Sequence, residues 1–265
     1  MPLRYLFVLF FFYLPSVNAS QAMRLVIPGP TPPFTVRNPF VEELLEIIFM
    51  NQNIALDLVY ATENISQGRA LKELNNSGLI DLTWSVNTSE REQRYTAIRL
   101  PLYQNYIGWR VFIINKQHQE QFRKINSLEA LSEKLAIQRF DWPDYEILLE
   151  NDLNVDGDIA FAQMYKAIEN ELADYFPRSV LEITRELESV DSPDLIVEKS
   201  LLLKYPSAYY FFVGKHNQPL ANIINNGFEL ALADGSYHEL FQQHFGHALE
   251  ALAIDKRKVF QLKAH

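Results

Sequence analysis

Arg91 is one side chain of this sequence whose chemistry suits a small acidic molecule. Its planar guanidinium group carries five donors and can make two parallel hydrogen bonds to one carboxylate. The residue follows Thr88-Ser89-Glu90, where Thr88 or Ser89 can cap a short helix through Arg94. Because a helix start disfavours positive charge, an arginine placed there favours a binding role. The alternative is an ordinary arginine on the surface.

Trp142 is a candidate for the aromatic wall of a binding cleft. It lies in the segment 140–144 (Phe-Asp-Trp-Pro-Asp), which is predicted to link a strand to a helix. Such loops line the cleft of doubly wound folds, and the helix-start amides there can bind an anion. The alternative is that the ring packs beneath the loop. Phe34 and Tyr175 are further candidates for an aromatic contact.

Nothing in the sequence indicates covalent or metal-dependent catalysis. The chain has no cysteine, which excludes disulfides, thiolate metal sites and a cysteine nucleophile. Gly-rich phosphate loops, Gly-x-Ser-x-Gly and His-Glu-x-x-His are absent. His244 and His247 are spaced as metal ligands on a helix face could be, but this pair alone does not define a metal site. We therefore expect no cofactor and no metal.

Length and charge narrow the class of protein further. The 265 residues are enough for two lobes of roughly 100 residues each. The net charge of -9 argues against nucleic acid as a partner, because phosphates require a basic surface. It also disfavours docking to an anionic membrane.

Residues 1–19 are typical of a cleaved secretory signal peptide. Arg4 precedes an apolar run over 5–14, and small residues lead to Ala19, after which we expect cleavage; Ala22 is the second choice. The run is only about ten residues long and a bilayer crossing needs ~20. The alternative is an uncleaved anchor. The mature protein is thus expected to be soluble and periplasmic, without a lipid anchor.

The remaining chain predicts an α/β fold. Apolar runs of strand length alternate with amphipathic helical runs, which favours layers with largely parallel sheets. Two β-prone runs are long, at 107–115 and 208–213. A strand is predicted over 173–176 and a helix over 180–187. The charged tail from Asp255 is expected to fray.

Four segments resemble one known family when they are taken in order: 32–34 (Pro-Pro-Phe), 71–82, 88–91 (Thr-Ser-Glu-Arg) and 217–245, which contains Asp-Gly-Ser-Tyr. They are similar to those of the bacterial extracellular solute-binding proteins of family 3, the receptors of polar amino-acid ABC transporters. The resemblance spans most of the chain after residue 19. Their order and spacing carry it, since each motif alone is short.

The resemblance implies a two-lobed periplasmic-binding-protein-like fold of type II, with two doubly wound lobes. The first lobe would comprise 23–107 plus 209–265, and the second 108–208. The two long β-prone runs would be the hinge strands, and the ligand would lie between the lobes. Closure around a ligand is hinge bending, as periplasmic binding proteins exemplify. The family's matching arginine binds the ligand carboxylate, which assigns that role to Arg91.

This chain departs from the family at two places. Trp84 and Val86 stand where small and hydroxyl residues are common; Trp84 either forms an apolar or stacking wall or fills the lobe core. In the second lobe, Arg178 or Ser179 replaces the acid that receives the ligand's ammonium group. An ammonium would there meet a positive or neutral group. The ligand is therefore hypothesised not to be an ordinary α-amino acid.

A ligand with anionic groups at two ends would suit Arg91 and Arg178 across the cleft. The alternative for Arg178 is a solvated residue after Pro177.

We expect a monomeric binding protein that passes a small, anionic organic molecule to an ABC permease or a membrane sensor. One alternative is a secreted enzyme on the same fold, similar to dehydratases that act on prephenate-like acids. Another is a domain that has lost ligand binding and contacts other proteins.

Overall fold

The structure is a computed structural model that describes residues 22–29, 38–61, 65–76, 78–190 and 192–263. The predicted signal peptide, 1–19, lies outside the described residues, and so does Phe34. In the part of the chain that is described, no helix combines the length and apolar character needed to cross a membrane.

Strands and helices alternate along the chain. The strands are β1 Met23–Ile27, β2 Leu56–Tyr60, β3 Leu82–Val86, β4 Thr96–Ile98, β5 Trp109–Asn115, β6 Ala136–Ile137, β7 Val155–Asp156, β8 Phe176–Ser179, β9 Leu195–Val197, β10 Leu201–Lys204, β11 Tyr209–Val213 and β12 Lys258–Gln261. The helices are α1 Pro39–Met50, α2 Gln67–Asn76, α3 Ser89–Arg94, α4 Gln119–Phe122, α5 Leu128–Ser132, α6 Pro143–Glu150, α7 Phe161–Glu169, α8 Ile183–Ser189, α9 Gln218–Asp234, α10 Ser236–Phe241 and α11 His247–Ala251.

We call β1–β4, β11, α1–α3, α9 and α10 the first lobe. Strands β1 and β2 pair in parallel, and β11 pairs antiparallel with β3 and β4. Helix α1 begins because Asn38 accepts a hydrogen bond from the amide of Val41 and Pro39 occupies the first turn. Its buried face, which includes Leu44 and Ile48, packs against α9. This packing forms much of the core of the first lobe.

We call β5–β10 and α4–α8 the second lobe. Strand β5 pairs antiparallel with β8, β9 and β10, and β6 pairs in parallel with β7. Six of the seven residues of β5, Arg110 to Asn115, are buried. The predicted preponderance of parallel pairing is therefore wrong, since antiparallel pairs surround both β5 and β11.

The chain crosses between the lobes through 99–108 and again through 205–208. The two crossings touch at Gly108, whose carbonyl accepts a hydrogen bond from the amide of Tyr205 at 3.1 Å. Just before this point Gln104 and Asn105 both have positive φ, at 49° and 64°, a region that L-residues seldom occupy. The turn into β5 is thus held in an unusual backbone conformation by its neighbours.

The end of the chain makes a further connection. Strand β12, in the tail that was expected to fray, pairs in parallel with β10, so that prediction is wrong. Arg257, just before β12, donates to the carbonyl of Glu198 at 2.5 Å and to that of Leu201 at 3.1 Å. The assignment of 209–265 to the first lobe is therefore corrected at 258–261, which lie in the sheet of the second lobe.

Alanine at Gly108 should destabilise the protein, because its Cβ would lie 2.1 Å from the carbonyl oxygen of Tyr205. Overpacking of this kind costs ~1–3 kcal/mol, measurable as free energy of unfolding in denaturant. Gly68→Ala is the matched control, because a Cβ there meets nothing within 4 Å and alanine favours the helix. Equal stability of the two variants would contradict the close approach at Gly108.

Candidate functional site

A cavity of about 430 Å³, here called the cleft, lies between the two lobes. The first lobe contributes the end of β1, the end of β2, strand β3 and the start of β11. The second lobe contributes the loop before α6, strand β8 and one face of α8. A volume of this order suits a small organic molecule. Aromatic and charged members of its wall include Trp84, Arg110, Trp142, Arg178, Glu182 and Arg185.

Arg91 lies beside the cleft and is fixed by its own helix start. The hydroxyl of Thr88 caps α3 by accepting a hydrogen bond from the Arg91 amide at 3.2 Å, as predicted. The guanidinium Nη1 donates to Ser85 Oγ at 2.7 Å and to the carbonyl of Val86 at 2.6 Å. Val86 belongs to the wall of the cleft, although Arg91 itself does not.

The electrostatic environment of Arg91 includes Glu90 and Asp144, whose charges raise its pKa. Among the described residues, no acidic side chain forms an ion pair with it. Partial burial lowers its pKa, because removal of water penalises the charged form. Such a cation gains from an anion that replaces the missing water, which fits the predicted carboxylate contact.

Arg178 lies in the wall, but its charge is already paired. It is inside β8, not after a strand as predicted, because the strand runs over Phe176–Ser179. Its Nε donates to Glu186 Oε2 at 2.6 Å, Nη2 bonds Glu186 Oε1, and Glu182 lies 3.2 Å away. The residue is 6% exposed, so it is neither a solvated residue nor a cation free for a ligand.

Three aromatic rings complete the surroundings of Arg178. Its guanidinium carbon lies 5.3 Å, 5.5 Å and 5.2 Å from the ring centres of Trp142, Phe161 and Phe176. Contacts of this type stabilise a cation. The arginine is thereby fixed in place on both its charged and its apolar sides.

Arg110 forms a second buried ion pair in the same wall. Its Nη2 lies 2.6 Å from Asp144 Oδ1, and its Nε donates to the hydroxyl of Tyr205 at 2.9 Å. That hydroxyl in turn bonds Asp144. Sequence reasoning did not single out these residues, although an arginine inside the long apolar run 107–115 was a usable signal, since buried arginines require partners.

Glu182 is the surplus carboxylate of this group. Two arginines, Arg110 and Arg178, face three acids, Asp144, Glu182 and Glu186. Glu182 is the most accessible of the three, with one third (33%) of its side chain exposed. Burial raises its pKa, an effect that Arg178 opposes. Of these three acids, Glu182 is therefore the most available to a molecule in the cleft.

Helix α8 and the residue before it present one face to the cleft. Glu182, Arg185, Glu186 and Ser189 all belong to the wall, at the spacing i, i+3, i+4, i+7 that places residues on one helix face. Arg185 is exposed and, among the described residues, forms no ion pair. The available cation of the second lobe is therefore Arg185 and not Arg178. The spacing was visible in the sequence.

Two predicted aromatic residues lie in the wall. Trp84 is half-buried, with its ring edge-on to Phe211 at 6.5 Å. Trp142 is the residue before α6 and lies edge-on to Phe161 at 5.2 Å. The two tryptophans come from opposite lobes. Their contact with a ligand remains a prediction.

Tyr175 and Ser179 do not reach the cleft, which corrects both assignments. Tyr175 is fully buried in the second lobe, with its ring 4.7 Å from that of Phe112. Ser179 is also fully buried, and its Oγ accepts from the amide of Leu181 at 3.3 Å. Tyr175 precedes β8 and Ser179 is its last residue, because β8 begins three residues later than predicted.

One of the two histidines considered as metal ligands, His244, contacts an acidic side chain instead. His244 Nε2 lies 3.1 Å from Glu43 Oε2, so it is occupied by a carboxylate of α1. Within the described ranges, no cluster of three or more metal-ligating side chains occurs.

Comparison with known proteins gives structural matches only. No protein-family model matches the chain, and neither does any curated protein. A Salmonella typhimurium periplasmic binding protein of high arginine specificity has a TM-score of 0.61 at 15% identity, covering 84% of this chain and 100% of its own. The ligand-binding core of GluR0 from Nostoc punctiforme, in complex with L-glutamate, has a TM-score of 0.58 at 18% identity over 83% and 99%.

A third match is an ancestral amino acid-binding protein described as a precursor of cyclohexadienyl dehydratase. Its TM-score is 0.59 at 15% identity, over 84% of this chain and 95% of its own. These matches confirm the predicted fold: the chain has the two-lobed fold of the periplasmic binding proteins. The similar structures are amino-acid-binding proteins and substrate-binding proteins of ABC transporters, the class to which the sequence resemblance pointed.

Arg178→Met should destabilise the protein strongly, because it leaves Glu186 buried without its partner. Loss of one member of a buried pair costs ~3–5 kcal/mol, measured as free energy of unfolding. Arg94→Met is the control: its pair with Glu90 has side chains 50% and 74% exposed, and such pairs contribute at most about 1 kcal/mol. Adding Glu186→Leu to Arg178→Met should restore much of the loss. Similar stabilities for Arg178→Met and Arg94→Met would contradict the pairing.

Proposed function

We propose that the protein binds a small, anionic organic molecule in the cleft and passes it to an ABC permease or a membrane sensor. The observation that carries this proposal is a cleft lined by both lobes, with Arg91 bonded to Val86 at the edge of its wall and without an ion pair among the described residues. The fold supports it by analogy, because the similar structures are binding proteins. Lobe closure would shield the ligand from water.

The charge of the cleft favours an anion. Among the described wall residues, the charges cancel, and Arg91 then adds one positive charge. The four cations are Arg110, Arg139, Arg178 and Arg185, and the four acids are Asp141, Asp144, Glu182 and Glu186. A carboxylate on Arg91 is the first contact, and a second acidic group can bind Arg185, which takes the place predicted for Arg178.

Glu182 widens the range of ligands. Neither Arg178 nor Ser179 supplies a carboxylate that could bind an ammonium group. Glu182, in the same wall as Arg178, supplies such a carboxylate. A molecule with two acidic groups and one amino group would therefore satisfy Arg91, Arg185 and Glu182 together. We propose dicarboxylic acids as the ligand class, with acidic amino acids among them.

The predicted signal peptide extends the proposal to location. The protein would be exported, lose 1–19 and act as a periplasmic monomer. The pattern of Arg4, an apolar run and small residues before Ala19 supports this. A mature N-terminus at Ser20 in the periplasmic fraction is the expected result.

A thermal-shift screen of the mature chain tests the ligand class. Succinate, glutarate, L-aspartate and L-glutamate should raise the melting temperature, because a ligand at a hundredfold excess over Kd adds ~2.7 kcal/mol of stability. L-Leucine and L-lysine should raise it less. Arg91→Ala should weaken binding of the best ligand roughly tenfold to a hundredfold, the worth of a charge-assisted pair. Arg94→Ala, on the same helix, is the control.

Unchanged affinity in Arg91→Ala would overturn the site assignment. Glu182→Gln separates the two kinds of acid: it should weaken amino-bearing acids and spare succinate and glutarate. A screen in which no acid shifts the melting temperature would favour a domain that contacts other proteins instead.

One observation favours a second candidate function, acid-catalysed elimination. The Glu182 carboxyl faces the cleft with a pKa raised by burial, as suits a general acid. On prephenate it could protonate the leaving hydroxyl, which departs as water. The ring–carboxylate bond then breaks, carbon dioxide leaves, and its electron pair stays in the ring. Solvent returns the proton to Glu182.

Incubation with prephenate tests this candidate through the appearance of phenylpyruvate. Turnover should fall as the pH rises through the raised pKa of Glu182, because the protonated form is lost, and Glu182→Gln should abolish it. Glu188→Gln, on the exposed side of α8, should not. Absence of phenylpyruvate at every pH would exclude this reaction and leave the binding proposal intact.

A further inference from the structure

A second cavity, of about 480 Å³, lies where the crossings between the lobes meet. We call it the hinge cavity. Residues 205–208 of the second crossing line it, together with Asn105 of the first crossing, Trp109 at the start of β5, Lys204 at the end of β10 and Gln261 of β12. Asn87, from the loop after β3, completes its wall. Every connection between the lobes that the structure describes therefore contributes to this cavity.

Two residues that line the hinge cavity each carry a buried polar atom without a partner among the described residues. Ser207 is only 7% exposed, and among the described residues its Oγ makes no hydrogen bond. Asn87 donates through Nδ2 to Glu92 Oε1 at 2.8 Å, yet its buried Oδ1 is also without a partner in the described part of the chain. Buried polar groups are nearly always bonded, so this pair indicates a place for a hydrogen-bonding ligand.

Lys204 supplies a cation to the same cavity. Its Nζ lies 3.7 Å from the centre of the Trp109 ring, and the negative face of the ring attracts an ammonium group. No carboxylate of the described residues forms an ion pair with it. The ammonium group is thereby held at the wall with its hydrogen-bond donors available to an anion.

We propose that the hinge cavity binds a small hydroxy acid. The carboxylate would contact Lys204, and the hydroxyl would donate to Asn87 Oδ1 and accept from Ser207 Oγ once these two side chains turn toward the cavity. A simple carboxylate would leave Asn87 without a donor, and a neutral alcohol would leave Lys204 without an anion. This site is separate from the cleft, and the proposal for it does not depend on the ligand proposed for the cleft.

Occupation of the hinge cavity would act on the cleft through the backbone. The amide of Asn87 donates to the carbonyl of Ala208 at 2.7 Å, and Asn87 immediately precedes Thr88, the cap of the helix that carries Arg91. A ligand that contacts every crossing at once favours one angle between the lobes. By linkage, the hinge-cavity ligand then changes the affinity of the cleft for its own ligand. The cleft ligand changes the affinity of the hinge cavity by the same factor.

Fluorine NMR of protein labelled with 5-fluorotryptophan tests the proposal. The chain has three tryptophans, so each gives a signal that a Trp→Phe variant assigns, and Trp109 alone lines the hinge cavity. DL-Lactate should shift the Trp109 signal in a saturable manner. Propionate, which lacks the hydroxyl, and lactamide, which lacks the charge, should each require at least a tenfold higher concentration for the same shift.

Three variants test whether lactate binds in the hinge cavity. Lys204→Met keeps the side-chain stem over Trp109 and should abolish the lactate shift, and Ser207→Ala should weaken it severalfold. Arg91→Ala, in the cleft, should leave the Trp109 titration unchanged. The proposal is overturned if lactate leaves the Trp109 signal in place, if propionate acts equally well, or if Arg91→Ala removes the response. If Lys204→Met folds poorly, the lactate titration of Ser207→Ala alone tests the proposal.

Discussion

Arg178 and Glu186 share two hydrogen bonds inside the wall of the cleft, where both side chains are more than nine-tenths buried. Removing two charges from water is costly unless their geometry is good and their remaining atoms are bonded. Tyr165 meets this condition by donating its hydroxyl to Glu186 Oε2 at 2.7 Å. The pair therefore fixes β8 against α8. It also determines which charges are left over for a ligand.

The leftover charges define the chemistry of the cleft. Because Glu186 neutralises Arg178 and Asp144 neutralises Arg110, neither buried arginine can hold an incoming anion without losing its partner. Arg185 and Glu182 remain available on the second lobe. Whether an arginine can contact a ligand or only stabilises the fold thus depends on whether an acidic side chain already pairs with it. Sequence position alone does not distinguish the two.

The same group of charges ties the cleft to the hinge. Tyr205 belongs to the second crossing, where its amide bonds the carbonyl of Gly108. Its hydroxyl reaches Arg110 and Asp144, which line the cleft. A change in the angle between the lobes at this crossing would therefore move the start of α6, and with it Trp142. Packed cores respond to such shifts by switching between arrangements.

Element order and local caps could be predicted from the sequence, because they depend on neighbours along the chain. The hydroxyl of Thr88 caps α3, and Gly235 ends α9 with a φ of 86°, where glycine is preferred. The position of β8 could not be predicted, since pairing with β5 decides it. An apolar run at 173–176 marks a buried segment without showing which of its residues enter the sheet.

Strand β12 shows the same limit more sharply. Of its four residues only Phe260 is buried, so its composition is that of a solvated tail. It is ordered because β10, more than fifty residues earlier, offers an unpaired edge, and because Arg257 bonds the carbonyls of Glu198 and Leu201. Long-range pairing of this kind leaves almost no local signal. Yet it adds a further connection between the lobes, so the stiffness of the hinge depends on a segment whose sequence resembles a frayed end.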